Sequence, residues 1–94
     1  MTPVAVSVTK HARKRVHERL GLPSRAVVRA AARALRSGLS SQEVGNDLRR
    51  YLDAKAGQNA EIFRVWRGAV FAYAMVGDTA ALITAWPLKR DLQP

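Results

Sequence analysis

The spacing of apolar residues changes from helical to strand-like near residue 61 of this chain, and that change fixes the class of fold. Before it, apolar residues recur every three or four positions, which is helical spacing. After it, three runs follow in quick succession: Glu61–Trp66, Val70–Val76 and Ala81–Trp86. Arg67-Gly68 separates the first two and Gly77-Asp78-Thr79 the last two. Connections this short join antiparallel strands, so the runs predict a meander. One more short run, Val4–Val8, alternates ahead of the helices and predicts a strand at a sheet edge.

Between these strands the chain reads as helix. Thr9 is placed to cap a helix over Lys10–Leu20, and Gly21 to end it in the left-handed conformation. Ala12, Val16 and Leu20 form its buried stripe. Ser24 is expected to cap a second helix, Arg25–Ser37, with Gly38 as its terminating glycine. Its many alanines predict close packing against a neighbour. Ser40-Ser41-Gln42-Glu43 matches a capping box. It predicts a third helix to about Leu52 or Ala54, with Val44, Leu48 and Leu52 inward and its start weakened by Gly45 and Asn46. Ala56-Gly57-Gln58-Asn59 is the expected loop out. The order β-α-α-(α)-β-β-β predicts one α+β domain over 1–94, with two to three helices on an antiparallel sheet of three to four strands.

Composition narrows the function classes. The chain has no cysteine, so disulfides, thiolate metal sites and a cysteine nucleophile are excluded. No apolar run approaches the roughly 20 residues of a membrane helix. No basic segment followed by an apolar one opens the chain, so a cytoplasmic location is expected (the host cytoplasm for a phage-encoded protein). Sixteen Lys and Arg face seven Asp and Glu, for a net charge of +9. Residues 1–36 hold nine of the basic residues and only Glu18 among the acids, so this first third carries +8 of the +9. Such an excess predicts a polyanionic partner, most often nucleic acid, so RNA or another polyanion is the expected partner. The two histidines and scattered acids give no metal cluster, no glycine loop for phosphate is present, and no cofactor is expected.

Helical spacing divides that charge into two rows. Arg25, Arg29, Arg33 and Arg36 fall at i, i+4, i+8 and i+11, an outward basic stripe without acidic neighbours at i±4. With Lys14 and Arg67 they are the candidate nucleic-acid contacts. His11, Arg15 and Arg19 fall at i, i+4 and i+8 along the edge of the first helix's buried stripe, where helix should meet sheet. Metal-free RNA cleavage needs a proton acceptor, a proton donor and cations on the phosphate. Histidine supplies the first two near neutral pH, and arginine forks supply the last. On the strands, Arg64 is expected opposite Phe63 and Val65, and Thr84 on one face with Leu82 and Trp86. His11, Arg15, Arg19, Arg64 and Thr84 are thus the candidate catalytic set.

The stretch from Val8 to Pro23, with its His11-x-x-x-Arg15-x-x-x-Arg19 helix, and the last strand Leu82-Ile83-Thr84-Ala85-Trp86-Pro87-Leu88 resemble small phage and prophage proteins. The pattern is similar to the superfamily that unites barnase, EndoU, colicin-type tRNases and RelE-type toxins. The resemblance implies N-terminal helices packed on an antiparallel sheet and, commonly, metal-independent endoribonuclease activity. It would make His11 the general acid/base, with Arg15 and Arg19 on phosphate and Thr84 as the polar residue of the last strand. It also brings a cognate acidic antitoxin into view as a partner. Two other functions fit the same chain: a non-catalytic inhibitor of a host protein or nucleoprotein complex, and a nucleic-acid-binding regulator.

Overall fold

The computed structural model describes residues 5–55, 60 and 62–92. Val4, Glu61 and the expected loop Ala56-Gly57-Gln58-Asn59 lie outside them. The chain is an α+β domain: β1 (Ala5–Val8), α1 (Lys10–Leu20), α2 (Ser24–Ser37), α3 (Asn46–Lys55), β2 (Ile62–Trp66), β3 (Ala69–Val76), β4 (Thr79–Pro87) and a 3₁₀ turn at Arg90–Leu92. The sheet order is β1-β4-β3-β2. The last three strands form the expected meander, and β1 adds to β4 in parallel, so the sheet is mixed rather than purely antiparallel.

Both hairpins are set by local backbone chemistry. Trp66 pairs with Ala69 across Arg67-Gly68, whose φ values of 51° and 74° are both positive. That is the pattern of a type I′ turn, whose twist matches the strands. Val76 pairs with Thr79 across Gly77-Asp78, where only Gly77 is positive, at 62°. There the glycine takes the position that a type II′ turn reserves for it.

Two helix starts differ from expectation. Ser24 is the first residue of α2 rather than its cap, and the cap position, Pro23, has no side-chain capping bond. Pro23, held at φ −59°, precedes it, and its carbonyl receives the N–H groups of Ala26 and Val27. The Ser40–Glu43 box does form its side-chain bond, at 2.9 Å from the Ser40 N–H to Glu43 Oε1. It closes only a single turn, however, and α3 starts later, at Asn46. Gly45 lets the chain break between the two. Hydrogen bonds from the Ser40 N–H and then its hydroxyl hold the Glu43 carboxyl below its ordinary pKa. Arg49 ties the turn back to α3 by donating to the carbonyls of Ser41 and Gln42.

Gly38 also departs from its expected role. Its φ of −73° is extended, not left-handed. The glycine is needed for space: an added Cβ would lie 2.5 Å from the Ala34 carbonyl oxygen and 3.1 Å from both Arg64 Cβ and Val65 O. This close approach lets Leu39 exchange both backbone hydrogen bonds with Val65 on β2. Gly21 behaves as expected, at φ 71° with its N–H on the His17 carbonyl.

The sheet is covered on both faces. On one, Val16 of α1 and Val27, Ala30, Ala31 and Ala34 of α2 pack on Phe71, Tyr73, Leu82 and Ala85. The small side chains bring α2 close to the strands, and the Tyr73 hydroxyl donates to the Ala31 carbonyl at 2.7 Å. On the other face, Val44, Leu48 and Leu52 pack on Phe63, Val65, Val70 and Ala72. The inward residues of α1 and α3 are therefore those the spacing indicated, and the alanines of α2 pack closely as its composition indicated.

One irregularity redirects β4. Ala72 pairs with Thr84 but Tyr73 with Leu82, so Ile83 is an extra residue, a β-bulge. Before it, Ala80 and Leu82 face α1 and α2. After it, Ala85 takes that side. Thr84, opposite Ala72, and Trp86 consequently face α3. The expectation that Leu82, Thr84 and Trp86 share a face is corrected: only Thr84 and Trp86 do.

Two outcomes test this packing. Gly38→Ala should destabilise by about 1–3 kcal/mol, the usual cost of overpacking, with a drop of several degrees in the melting temperature. Burial raises the Tyr73 pKa well above its ordinary value. The unfolded phenol ionises near pH 10, whereas the folded one keeps its proton. This residue's contribution is complete below about pH 10 and is lost as pH rises beyond it. Thermal melts between about pH 9 and 12 should show wild type losing stability more steeply than Tyr73→Phe.

Candidate functional site

The sequence-predicted catalytic residues separate into three places. Arg15 and Arg19, from α1, line a cleft of about 360 Å³ with Thr84. Tyr51 and Lys55 of α3 and Trp86 of β4 form the rest of its wall. Phe63, Ala72 and Ile83 supply apolar floor from the sheet. His11 is exposed one turn before Arg15 and does not line this cleft. Arg64 lies on the opposite face of the sheet, where it donates to the Leu35 carbonyl at 3.3 Å and the Phe63 carbonyl at 2.9 Å. It thereby fastens the last turn of α2 to β2. The expectation that places Arg64 opposite Phe63 and Val65 holds, but that side points away from Thr84.

The bulge builds the cleft. β1 covers the edge of β4 only as far as Leu82. Beyond that point Arg19 reaches the strand, and its Nη1 donates to Thr84 Oγ1 at 2.8 Å. This fixes one guanidinium at the cleft wall while its other N–H groups keep donor capacity. Across the cleft, Trp86 Nε1 donates to the Tyr51 hydroxyl at 2.8 Å. The Tyr51 oxygen is thereby held as an acceptor, and its own proton can be donated elsewhere. Lys55 Nζ stands 5.6 Å from the centre of the Tyr51 ring.

Three cations thus converge on one concave surface, and among the described residues no carboxylate lines it. Such an arrangement attracts anions, and Arg15 and Arg19 offer planar donor forks suited to phosphate oxygens. Among the described residues no three His, Asp or Glu side chains are grouped to hold a metal ion.

Tyr51 and Lys55 are the site residues that sequence reasoning missed. They are spaced i, i+4 beside the Leu48/Leu52 stripe of α3, the same edge position that Arg15 and Arg19 hold on α1. That spacing was the available signal.

The candidate nucleic-acid contacts are dispersed. Lys14, Arg25, Arg29, Arg33, Arg36 and Arg67 are all exposed. Arg29, Arg33 and Arg67 line a second hollow, on the α2 side of the sheet. Arg36 lies with Arg64 and Glu43 near Gly38. His17 does not join either hollow; its Nδ1 lies 2.8 Å from the Leu22 carbonyl and anchors the α1–α2 connection. No helix among the described residues is long and apolar enough to cross a membrane. No protein-family model matches the chain, and neither a curated protein nor a solved structure does.

Proposed function

We propose that this chain is a RelE-like RNA-binding protein that cleaves RNA in the cleft between α1 and α3 without a metal ion. The observation that carries this reading is the convergence of Arg15, Arg19 and Lys55 on a concave wall free of carboxylates among the described residues. The order of elements, helices before a meander, is the layout the resemblance implies.

In this reading the arginines hold the scissile phosphate and offset charge as the ribose 2′-hydroxyl, giving up its proton to solvent water, attacks phosphorus and leaves a 2′,3′-cyclic phosphate as the bond to the 5′-oxygen breaks. The Tyr51 hydroxyl, whose oxygen accepts from Trp86 Nε1 and whose proton can be donated elsewhere, would protonate the departing 5′-oxygen and regain a proton from solvent. The half-buried Trp86 ring at the cleft wall offers a base a stacking surface. His11 stands outside the cleft, which favours a second reading in which the same surface binds RNA as a regulator and does not cut it.

One experiment separates the two. A single-stranded RNA is incubated with the protein in EDTA, and both cleavage and binding are followed. Cleavage should fall about 100-fold or more in Arg19→Ala and Tyr51→Phe, the usual cost of losing a phosphate donor or proton donor, and should persist in His11→Ala. Intact RNA with retained binding would establish the regulator instead, and loss of cleavage in His11→Ala alone would return the chemistry to the histidine. Binding should weaken with salt, and Lys55→Ala should reduce the salt slope by about 0.7 if it neutralises one phosphate of a single strand.

A further inference from the structure

The hollow on the α2 side of the sheet has a different chemistry from the cleft. Its volume is also about 360 Å³. Leu20, Leu22, Ala26, Ala30 and Phe71 make its walls and floor, so most of its lining is apolar. Its rim is basic on both sides: Arg29 and Arg33, one turn apart on α2, face Arg67 on the β2–β3 turn, with Trp66 beside it. No acidic side chain lines it among the described residues.

Arg67 occupies its position at a conformational cost. Its φ of 51° places it in the left-handed region, and among the described residues it is the single non-glycine there. The first central position of a type I′ turn favours asparagine, aspartate or glycine. Arginine offers the turn nothing in return for that strain. What it does is lay its guanidinium over the Trp66 ring, 4.6 Å from the centre, at the mouth of the hollow. Strain kept at the edge of a concave surface points to a binding role.

We propose that this hollow docks an acidic, amphipathic segment of a partner protein. A bulky apolar side chain of that segment enters between α2 and the β2–β3 turn, and its neighbouring carboxylates pair with Arg29, Arg33 and Arg67. The basic row extends past both ends of the hollow, from Arg25 to Arg36, over about 16 Å of helix, which matches an extended anion rather than a single carboxylate. Nucleic acid fits less well. The arginine stacked on Trp66 already covers a ring face on which a base would lie, and the aliphatic floor offers a base edge no polar partner. A helix laid in a groove, anchored by residues one turn apart, is an established mode of recognition.

The probe is a fluorescein-labelled helical peptide with leucines one turn apart, flanked by glutamates, followed by anisotropy. It should bind wild type, and about tenfold or more weaker binding is expected when its leucines become serine or when the protein carries Arg67→Asn, as for loss of an anchor. Arg67→Asn should leave the melting temperature unchanged or higher, because asparagine accepts the left-handed position. Ala26→Trp, which fills the hollow without altering charge, should also weaken binding. Should it fail to fold, Arg67→Asn decides alone. Equal binding of the leucine and serine peptides, or unchanged binding to Arg67→Asn, overturns the proposal. So does a single-stranded RNA that binds through Arg67 and displaces the peptide, since the hollow would then be a nucleic-acid surface. The RNA reading of the cleft is tested on other residues, Arg19, Tyr51 and Lys55, so the two can fail separately.

Discussion

Leu82 is the point on which the arrangement turns. The parallel pairing of β1 with β4 ends there, and the extra residue of the bulge follows at once. If β4 continued without the bulge, Thr84 and Trp86 would face the first two helices and Ala85 would face α3. The alternation of a strand permits nothing else, because one inserted residue exchanges the faces of everything after it. The end of β1 matters equally. It leaves the second half of β4 without a strand neighbour on that side, which is where a guanidinium from α1 reaches the hydroxyl of Thr84. Two local events at adjacent residues therefore place groups from α1, α3 and β4 around one hollow.

The element order and inward residues were legible because they depend on spacing and on turn chemistry. Ala12 and Val16, and Val44, Leu48 and Leu52, are buried where periodicity put them, and the alanines of the second helix pack closely as its composition indicated. The bulge was not legible. Leu82-Ile83-Thr84-Ala85-Trp86 contains no glycine or proline to mark an irregularity, and strict alternation gave Thr84 the wrong companions. Gly38 shows the opposite case. It was visible as a glycine at a helix end, but its purpose lies in a contact with β2, some 26 residues further along, which no local pattern encodes. The candidate site was half legible for the same reason. Arg15 and Arg19 stood out as a row, whereas Tyr51 and Lys55 gained meaning only when α3 was set against the face to which the bulge turns Thr84 and Trp86.

The charge of the chain is now divided by the sheet. One face carries a polar cleft with Arg15, Arg19 and Lys55, and the other an apolar hollow rimmed by Arg29, Arg33 and Arg67. Both surfaces lack acids among the described residues, but they differ in what lies between the cations. Hydroxyl and indole groups in the first suit a flexible, hydrated anion. Aliphatic side chains in the second demand an occupant that brings apolar surface with its charge. Net charge steers any anion toward the molecule; the floor of each hollow decides which one stays.

The short bridge between Leu39 and Val65 bears on how this protein meets others. β2 is an edge strand of five residues, and open edges invite a strand from another chain to continue the sheet. Here Val65, one residue from the end of that edge, already exchanges both backbone hydrogen bonds with Leu39 in the segment after α2. A foreign strand would have to displace that segment, and with it the tight seat of Gly38, before it could pair. Sheet extension, and the self-association that follows from it, is hindered on this side at Val65, and the sheet's other edge is the short strand β1.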